Sequence, residues 1–504
     1  MLHGTLCKKV ISSLLFFVCT SLVIGCAGPI PMTQPEQVHV VPTVTYTAPG
    51  ITIDGTTKYQ TIDGFGISEA FGEAGLLRSL PPTVQQQIFD DLFSTSSGAG
   101  LDILRNMIPS TSDATIEPTN PGSPKAHPTY VWKGDDQSQV WLSQLVKKNY
   151  GITQLYADAW SAPGFMKTNG SEANGGQLCG SPGASCSSGD WRQAYANYLV
   201  QYLQDYQREG ITIPYVSFLN EPDISIKYSS MQMSPQQADD FVKVLGPTLK
   251  NAGLRTTSQI ICCDSETWLT TKDDYVPAIA NDPIASSYVP IYSGHGYLHP
   301  PDSLVASPNS GKRIWQTEWG TFKPWTTAWD QGDIASGYTD SGFIWAQQIY
   351  TALTAANVSA FFYWWGAADD PQSKNQTLIR LNGSSFDASN DVSKRLWAFA
   401  NYSRFVRPGA TRIGATTSNN NLLVTAFSNT NGSLAIVVLN TATQAMTVPI
   451  AVPKMGFPDG SQVVPYITNT TNNTAKQDAV TISKGIFPAT LPSRSLITYT
   501  IPRQ

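Results

Sequence analysis

Charge is scarce in this chain: Asp, Glu, Lys and Arg make up 14% of its 504 residues, against roughly 25% in an average soluble protein. The net charge of −5 comes without runs of one sign, so no basic groove for a nucleic acid or an acidic polymer is expected. Histidines number only five and stand at no metal-ligand spacing with the cysteines, which argues against a zinc site. No strand-like run leads into GxGxxG, so a dinucleotide fold has no support. Beyond about residue 25, no apolar run approaches the roughly 20 residues that cross a membrane, and no repeat of solenoid period stands out.

What is present suits a different class. Hydrophobic residues make up 41%, and the length exceeds one ordinary domain while accommodating a barrel with a smaller companion. A surface rich in Ser, Thr, Asn and Gly suits a secreted protein that handles neutral, hydroxyl-rich ligands. At the N-terminus, Lys8 and Lys9 precede an apolar stretch from Val10 to Gly25 and then Ala27 and Gly28, the pattern of a secretory signal peptide over residues 1–27. A Pro- and polar-rich linker follows over 28–43. The run Val23-Ile24-Gly25-Cys26 also fits a lipoprotein cleavage site with Cys26 lipidated. Eight Asn-x-Ser/Thr sequons, at Asn169, Asn357, Asn375, Asn382, Asn401, Asn431, Asn469 and Asn472, favour a secreted glycoprotein, free of the membrane once the signal is removed.

Removing the signal segment with Cys7, Cys19 and Cys26 leaves four cysteines. Cys179 and Cys186 flank a Gly/Ser/Pro loop that a disulfide would close. Cys262 and Cys263 are adjacent, either as buried thiols or as a vicinal bridge.

Apolar, strand-like runs recur at IDGFGIS, LDILRNMI, TQLYADAW, YVSFLN, SQIICCD, VPIYSGHGYL, KRIWQTE and SAFFYWW, with amphipathic helical segments between them such as 190–209 and 235–251. Eight strands alternating with helices predict an α/β fold, a closed (β/α)8 TIM barrel over 63–400. Beyond 400 the helical pattern ends. Short strands between Asn/Gly/Ser turns predict a C-terminal β-sandwich over 401–504, joined by N-terminal strands from 44–62.

Two carboxylates carry the chemistry. Glu221 in FLNEPD and Glu318 in RIWQTEWG each end a strand-like run. The C-terminal strand ends form the mouth of such a barrel, where active sites sit. Paired carboxyls across a cleft are the minimal apparatus for breaking a glycosidic bond; the bland alternative is a turn cap or an ion pair for each. Asn220 offers an amide to a sugar hydroxyl. Arg105 offers a cation that keeps a carboxylate ionised, or a structural ion pair. Tyr297 offers a hydroxyl, with His295 nearby for similar work, although core packing is the common role of such residues. Trp160, Trp319, Trp364 and Trp365, near strand ends, offer aromatic faces to sugar C–H bonds. Trp191 and Trp397 read as helix-face core.

The set GFGISEAFG, ILRNMI, DAWSAPGFMKTNG, FLNEP, GHGYL, WQTEWG and FYWWGA resembles glycoside hydrolase family 30 across nearly the whole mature chain, including FVRPGA at the entry to the sandwich. YADAWSAPGFMKTNG, GGQLCGSPGASCSSGDWRQAYANYLVQY and FLNEPD resemble its fungal xylanase branch. The resemblance implies a secreted, retaining hydrolase of a polysaccharide substrate, β-1,4-xylan, acting endo or releasing xylobiose with no cofactor and no metal; a monomer is expected. Glu221 would be the acid/base and Glu318 the nucleophile, with Arg105, Trp160, Asn220 and Tyr297 around the reacting sugar. Relatives cleave β-1,6-glucan, β-1,6-galactan and glucosylceramide, so those glycans are alternatives, as is a non-catalytic carbohydrate-binding protein on the same scaffold. Two departures bear on substrate. Branch members that read a glucuronosyl side group use a basic residue after the first strand, where this chain has Glu69 and Glu73, with Arg78 further on. The stretch after Glu318 carries Trp319 and Lys323, which can reshape the cleft.

Overall fold

Residues 50–305, 311–330, 340–369 and 376–503 are described by a computed structural model. The signal and linker segments with their three cysteines, residues 44–49 and the Asn375 sequon lie outside the described residues.

The first strand, β1 (Ile51–Thr61), belongs to the second sheet, and the barrel begins directly after it. Its strands are β2 (Gly64–Ser68), β3 (Ile103–Ile108), β4 (Gln154–Ala159), β5 (Tyr215–Ser217), β6 (Gln259–Ser265), β7 (Ile291–His295), β8 (Arg313–Glu318) and β9 (Ala360–Ala368). Each pairs in parallel with the next, and β9 pairs with both β8 and β2, which closes the cylinder. The continuous apolar runs arise because helices cover the outside while side chains fill the inside. A short β10 (Thr377–Arg380) extends the sheet beside β9. Its four residues carry too little pattern to be legible in sequence.

Side chains alternate along a strand, and the barrel interior changes character from one inward layer to the next. Ile103, Tyr156, Tyr215, Ile261, Ile291, Trp315 and Phe362 form an apolar plug. Gly66 makes room for it, since a Cβ there would stand 2.3 Å from the Phe362 ring. Two residues further along the same strands are Arg105, Asp158, Ser217, Ser293 and Thr317, all buried. The plug therefore seals one end, and the polar layer above it opens toward the C-terminal mouth.

The tail contributes β11 (Thr411–Thr417), β12 (Leu422–Ser428), β13 (Leu434–Asn440), β14 (Met446–Ala451), β15 (Gln462–Thr468), β16 (Ala475–Lys476), β17 (Val480–Thr481), β18 (Ile486–Leu491) and β19 (Ser495–Ile501). β1 lies between β11 and β14, antiparallel to the first and parallel to the second. Leu434, Ile436 and Val438 of β13 face the core of this domain, and Ala435, Val437 and Leu439 face the barrel's helices. Burial of both faces explains why LAIVVLN reads as an unbroken apolar run.

The buried helix Lys394–Ser403 lies at this junction. Asn401 donates from Nδ2 to the Tyr466 carbonyl at 3.1 Å and to Thr498 Oγ1 at 3.0 Å. Its side chain is fully enclosed, so this sequon is closed to glycan in the folded protein. Asn401→Ala is expected to cost about 2–3 kcal/mol, because buried polar partners lose their hydrogen bonds; a urea denaturation midpoint lower than wild type at unchanged slope would show it.

Candidate active site

The loops that follow the strands bring Glu221 and Glu318 together, although 97 residues separate them (318 − 221). Glu318 ends β8. Glu221 follows β5 in a left-handed backbone conformation, φ 47°, held by its N–H on the Asp264 carbonyl at 2.8 Å. One oxygen of each carboxylate and a ring nitrogen of His295 all lie within 4.8 Å of one another. Carboxyls at about 5–5.5 Å suit direct attack by one of them, whereas an inverting pair stands roughly 6.5–9.5 Å apart with water between.

The two carboxyls have different neighbours. Glu318 receives a charge-assisted hydrogen bond from Arg105 Nη1 on one oxygen and the Tyr297 hydroxyl at 3.0 Å on the other. Arg105 also donates from Nη2 to Asp158 at 2.5 Å and to Asn220 Oδ1 at 2.6 Å. Its guanidinium stacks 4.5 Å from the Trp160 ring. Glu221 meets no cation directly: His295 Nδ1 stands 3.1 Å from one oxygen and the Tyr228 hydroxyl 3.2 Å from the other. Burial disfavours the charged form of His295, against the pull of the nearby Glu318.

Burial pushes the Glu221 carboxyl up to about 7, and the neighbouring Asp223 charge adds to the shift. Burial raises Glu318 too, opposed by His295 and Arg105. With Arg105 bonded to Glu318 and no cation on Glu221, a proton confined to the pair belongs on Glu221. Environments that differ in this way divide acid from base. A metal ion at the trio would compete with the Arg105 cation for Glu318, so the donor set suits proton transfer better than metal ligation.

A cavity of about 430 Å³ opens over both carboxylates. Trp160, Trp364, Trp365 and Tyr297 line it. Arg105, Asn220 and His295 stand behind the carboxylates and are buried. Trp319 is not on this wall: it packs on Trp345 and Phe361, with ring centroids at 5.0 and 6.2 Å. Its position next to Glu318 in sequence is misleading, because successive residues at a strand end point to opposite sides. Glu69 accepts from the Ala367 N–H at 2.9 Å and Glu73 from the Asp369 N–H at 3.2 Å, tying the first loop to the end of β9. Arg78 pairs with Asp135 at the surface, and Lys323 is exposed.

Sequence reasoning missed Phe71, Tyr228, Glu266 and Phe322 of the lining, which come from irregular loops without periodicity. Asp158 and Asp264 were also missed, yet each left a signal as a lone acid inside a strand-like apolar run. Asp264 accepts from Tyr156 at 2.7 Å and from Thr317. Away from the site, Cys179 is joined to Cys186 and Cys262 to Cys263, the second pair as the vicinal bridge.

Residues 62–308 match the glycosyl hydrolase family 30 TIM-barrel domain, and residues 409–499 match the family 30 beta sandwich domain. The catalytic domain of a family 30 xylanase C from Talaromyces cellulolyticus is 42% identical, with a TM-score of 0.81 over 90% of this chain and 100% of that one. An endo-1,6-β-D-glucanase of Aspergillus fumigatus is 25% identical over 90% of this chain and 88% of its own length. The lysosomal acid glucosylceramidase of Mus musculus is 24% identical over 81% of this chain and 80% of its own.

Proposed function

Because this chain belongs to glycosyl hydrolase family 30, we propose that it is a secreted, retaining hydrolase of β-1,4-xylan that works by double displacement through Glu318 and Glu221. The observation that carries the mechanism is the carboxylate pair within 4.8 Å, one member on Arg105 and Tyr297 and the other without a cation. In the first half, Glu318 attacks the anomeric carbon while Glu221 protonates the departing oxygen. In the second, Glu221 takes a proton from water, whose oxygen displaces Glu318 from the sugar. Two inversions retain the configuration.

Arg105 keeps the nucleophile ionised, and Tyr297 orients it. Asn220 Oδ1 is occupied by Arg105, so its Nδ2 donor is the end available to a sugar hydroxyl beside the reacting carbon. Trp160, Trp364 and Trp365 supply the apolar faces on which pyranose rings stack. These roles use only side chains, and no cofactor enters the reaction.

The xylan assignment draws on the 42% identity to a xylanase over 90% of this chain, against 25% to the β-1,6-glucanase. Secretion draws on the N-terminal signal pattern and the Cys179–Cys186 bond. The enzyme is taken to act as a monomer. Against xylan, β-1,6-glucan and β-1,6-galactan, we expect xylan to be cut at least about 100-fold faster than either rival, with the first-formed products in the β configuration by NMR. Xylan left intact while β-1,6-glucan is cut would overturn the substrate and leave the carboxylate roles standing. α-configured first products would overturn the roles themselves.

A further inference from the structure

The acid/base carboxyl has a neighbour that this reaction scheme does not use. Tyr228 donates its phenol hydroxyl to Glu221 Oε2 at 3.2 Å, on the oxygen opposite the one facing His295. The His295 ring and the Asp264 carbonyl, which also meet Glu221, are buried, whereas Tyr228 is 43% exposed. Deleting its hydroxyl therefore opens no hole in the core.

The surroundings hold that hydroxyl in place. The Phe71 ring stands edge-on to Tyr228 at 5.8 Å and also against Trp160 and Trp364. Phe71 is itself 39% exposed and has φ 61°, a left-handed conformation that strains a bulky residue. Core burial does not account for that strain; the ring's contacts around the cleft do. Two residues beyond Tyr228, the Ser230 carbonyl accepts from the buried Lys167 ammonium at 2.6 Å, and the same ammonium donates to Ser161 Oγ at 2.8 Å. The loop bearing Tyr228 is thus tied to the segment after Trp160.

From this geometry we propose that Tyr228 is the positioning residue for the second half of the reaction, holding the Glu221 carboxylate that must take a proton from water. The proposal rests on the retaining reading above. In the first half the Glu221 O–H bond breaks, its proton goes to the glycosidic oxygen, the glycosidic C–O bond breaks, and Glu318 bonds the anomeric carbon. What remains at Glu221 is a buried anion. In the second half Glu221 accepts a proton from water, the water oxygen bonds the anomeric carbon, and the bond to Glu318 breaks. Tyr228 keeps its own proton throughout, and its hydrogen bond favours the ionised carboxyl. The other titratable or charged groups facing Glu221 are Asp223, Asp264, Glu266, His295, Tyr297, Glu318 and Arg105. Arg105 is the permanent cation of this set, and it is bonded to Glu318.

The test is Tyr228→Phe on a 2,4-dinitrophenyl β-xylobioside, whose leaving group needs no proton, so kcat/KM reports the first half and kcat the second. Losing one hydrogen bond to a charged group is expected to lower kcat about tenfold, with kcat/KM within twofold and KM falling in step. On xylan the alkaline limb of the pH profile should move upward, since the donor that favoured ionisation is gone. Phe71→Gly, which suits the left-handed backbone, should reproduce part of the fall in kcat with the fold retained. Equal losses in kcat and kcat/KM, or an unmoved alkaline limb, would overturn the proposal. The wild type is first run on the three polymers and the aryl glycoside matched to the one it cuts, so a wrong substrate and a wrong role for Tyr228 give separate results.

Discussion

Glu318→Gln is expected to lower kcat on xylan by at least about 10⁴-fold, a barrier increase of roughly 5 kcal/mol. The amide is no nucleophile, so no glycosyl–enzyme bond can form. The substitution fits the site: the Gln oxygen can accept from Arg105 and its amide can donate to the Tyr297 oxygen, groups that now hold the carboxylate. Arg105 keeps its ion pair with Asp158, so the polar layer of the barrel survives and the variant should unfold at nearly the wild-type midpoint. A 2-fluoro xylobioside with an activated leaving group should add its glycosyl mass to Glu318 of the wild type and to no residue of the variant. More than a tenth of the wild-type rate in the variant, or a label on another residue, would sink the nucleophile assignment.

Glu221→Ala should separate the two halves of the reaction. On xylan the rate is expected to fall about 10²- to 10⁴-fold, the range that a positioned general acid contributes. On a dinitrophenyl xylobioside the first half should continue and the second should stall. Added azide should then attack in place of water and give a β-glycosyl azide, since an anion needs no base. The pH profile supplies an independent reading. The acid works only while protonated, and its carboxyl titrates at about 7, so wild-type kcat/KM on xylan should fall as pH rises through neutrality. The acid limb should appear where Glu318 takes up a proton and ceases to attack. In Glu221→Ala the alkaline limb should vanish with the group that titrates. A limb that persists unchanged would assign it to another residue.

Much of the fold was legible because barrel strands leave strong local marks. Runs such as LDILR and RIWQTE are apolar, compact and bounded by turns, and all eight became parallel neighbours in chain order. The carboxylates were legible for the same reason: each polar residue ends an apolar run, and the ends of parallel strands converge at one rim. Proximity in sequence was the weaker guide. Trp319, beside Glu318, turns away from the cavity to Trp345. Tyr228 and Phe71, in unpatterned loops, reach it. Asn401 looked like a glycan acceptor and is a buried link between the barrel and the second sheet.

The amino-acid sequence by itself determined the kinds of chemistry available: two glutamates at strand ends, one arginine within a strand, tryptophans near the rim and no metal-ligand spacing. Periodicity and turn signals are properties of neighbouring residues, so they could be read without knowing the packing. Only the tertiary structure decided which of these groups meet and in what state. Closing the sheet brought Arg105 to Glu318 and left Glu221 without a cation, and loop packing set Tyr228 against the acid. Those outcomes depend on distances across the barrel and on removal of water, which act between residues far apart in the chain. The difference between two chemically identical glutamates is therefore a property of the fold.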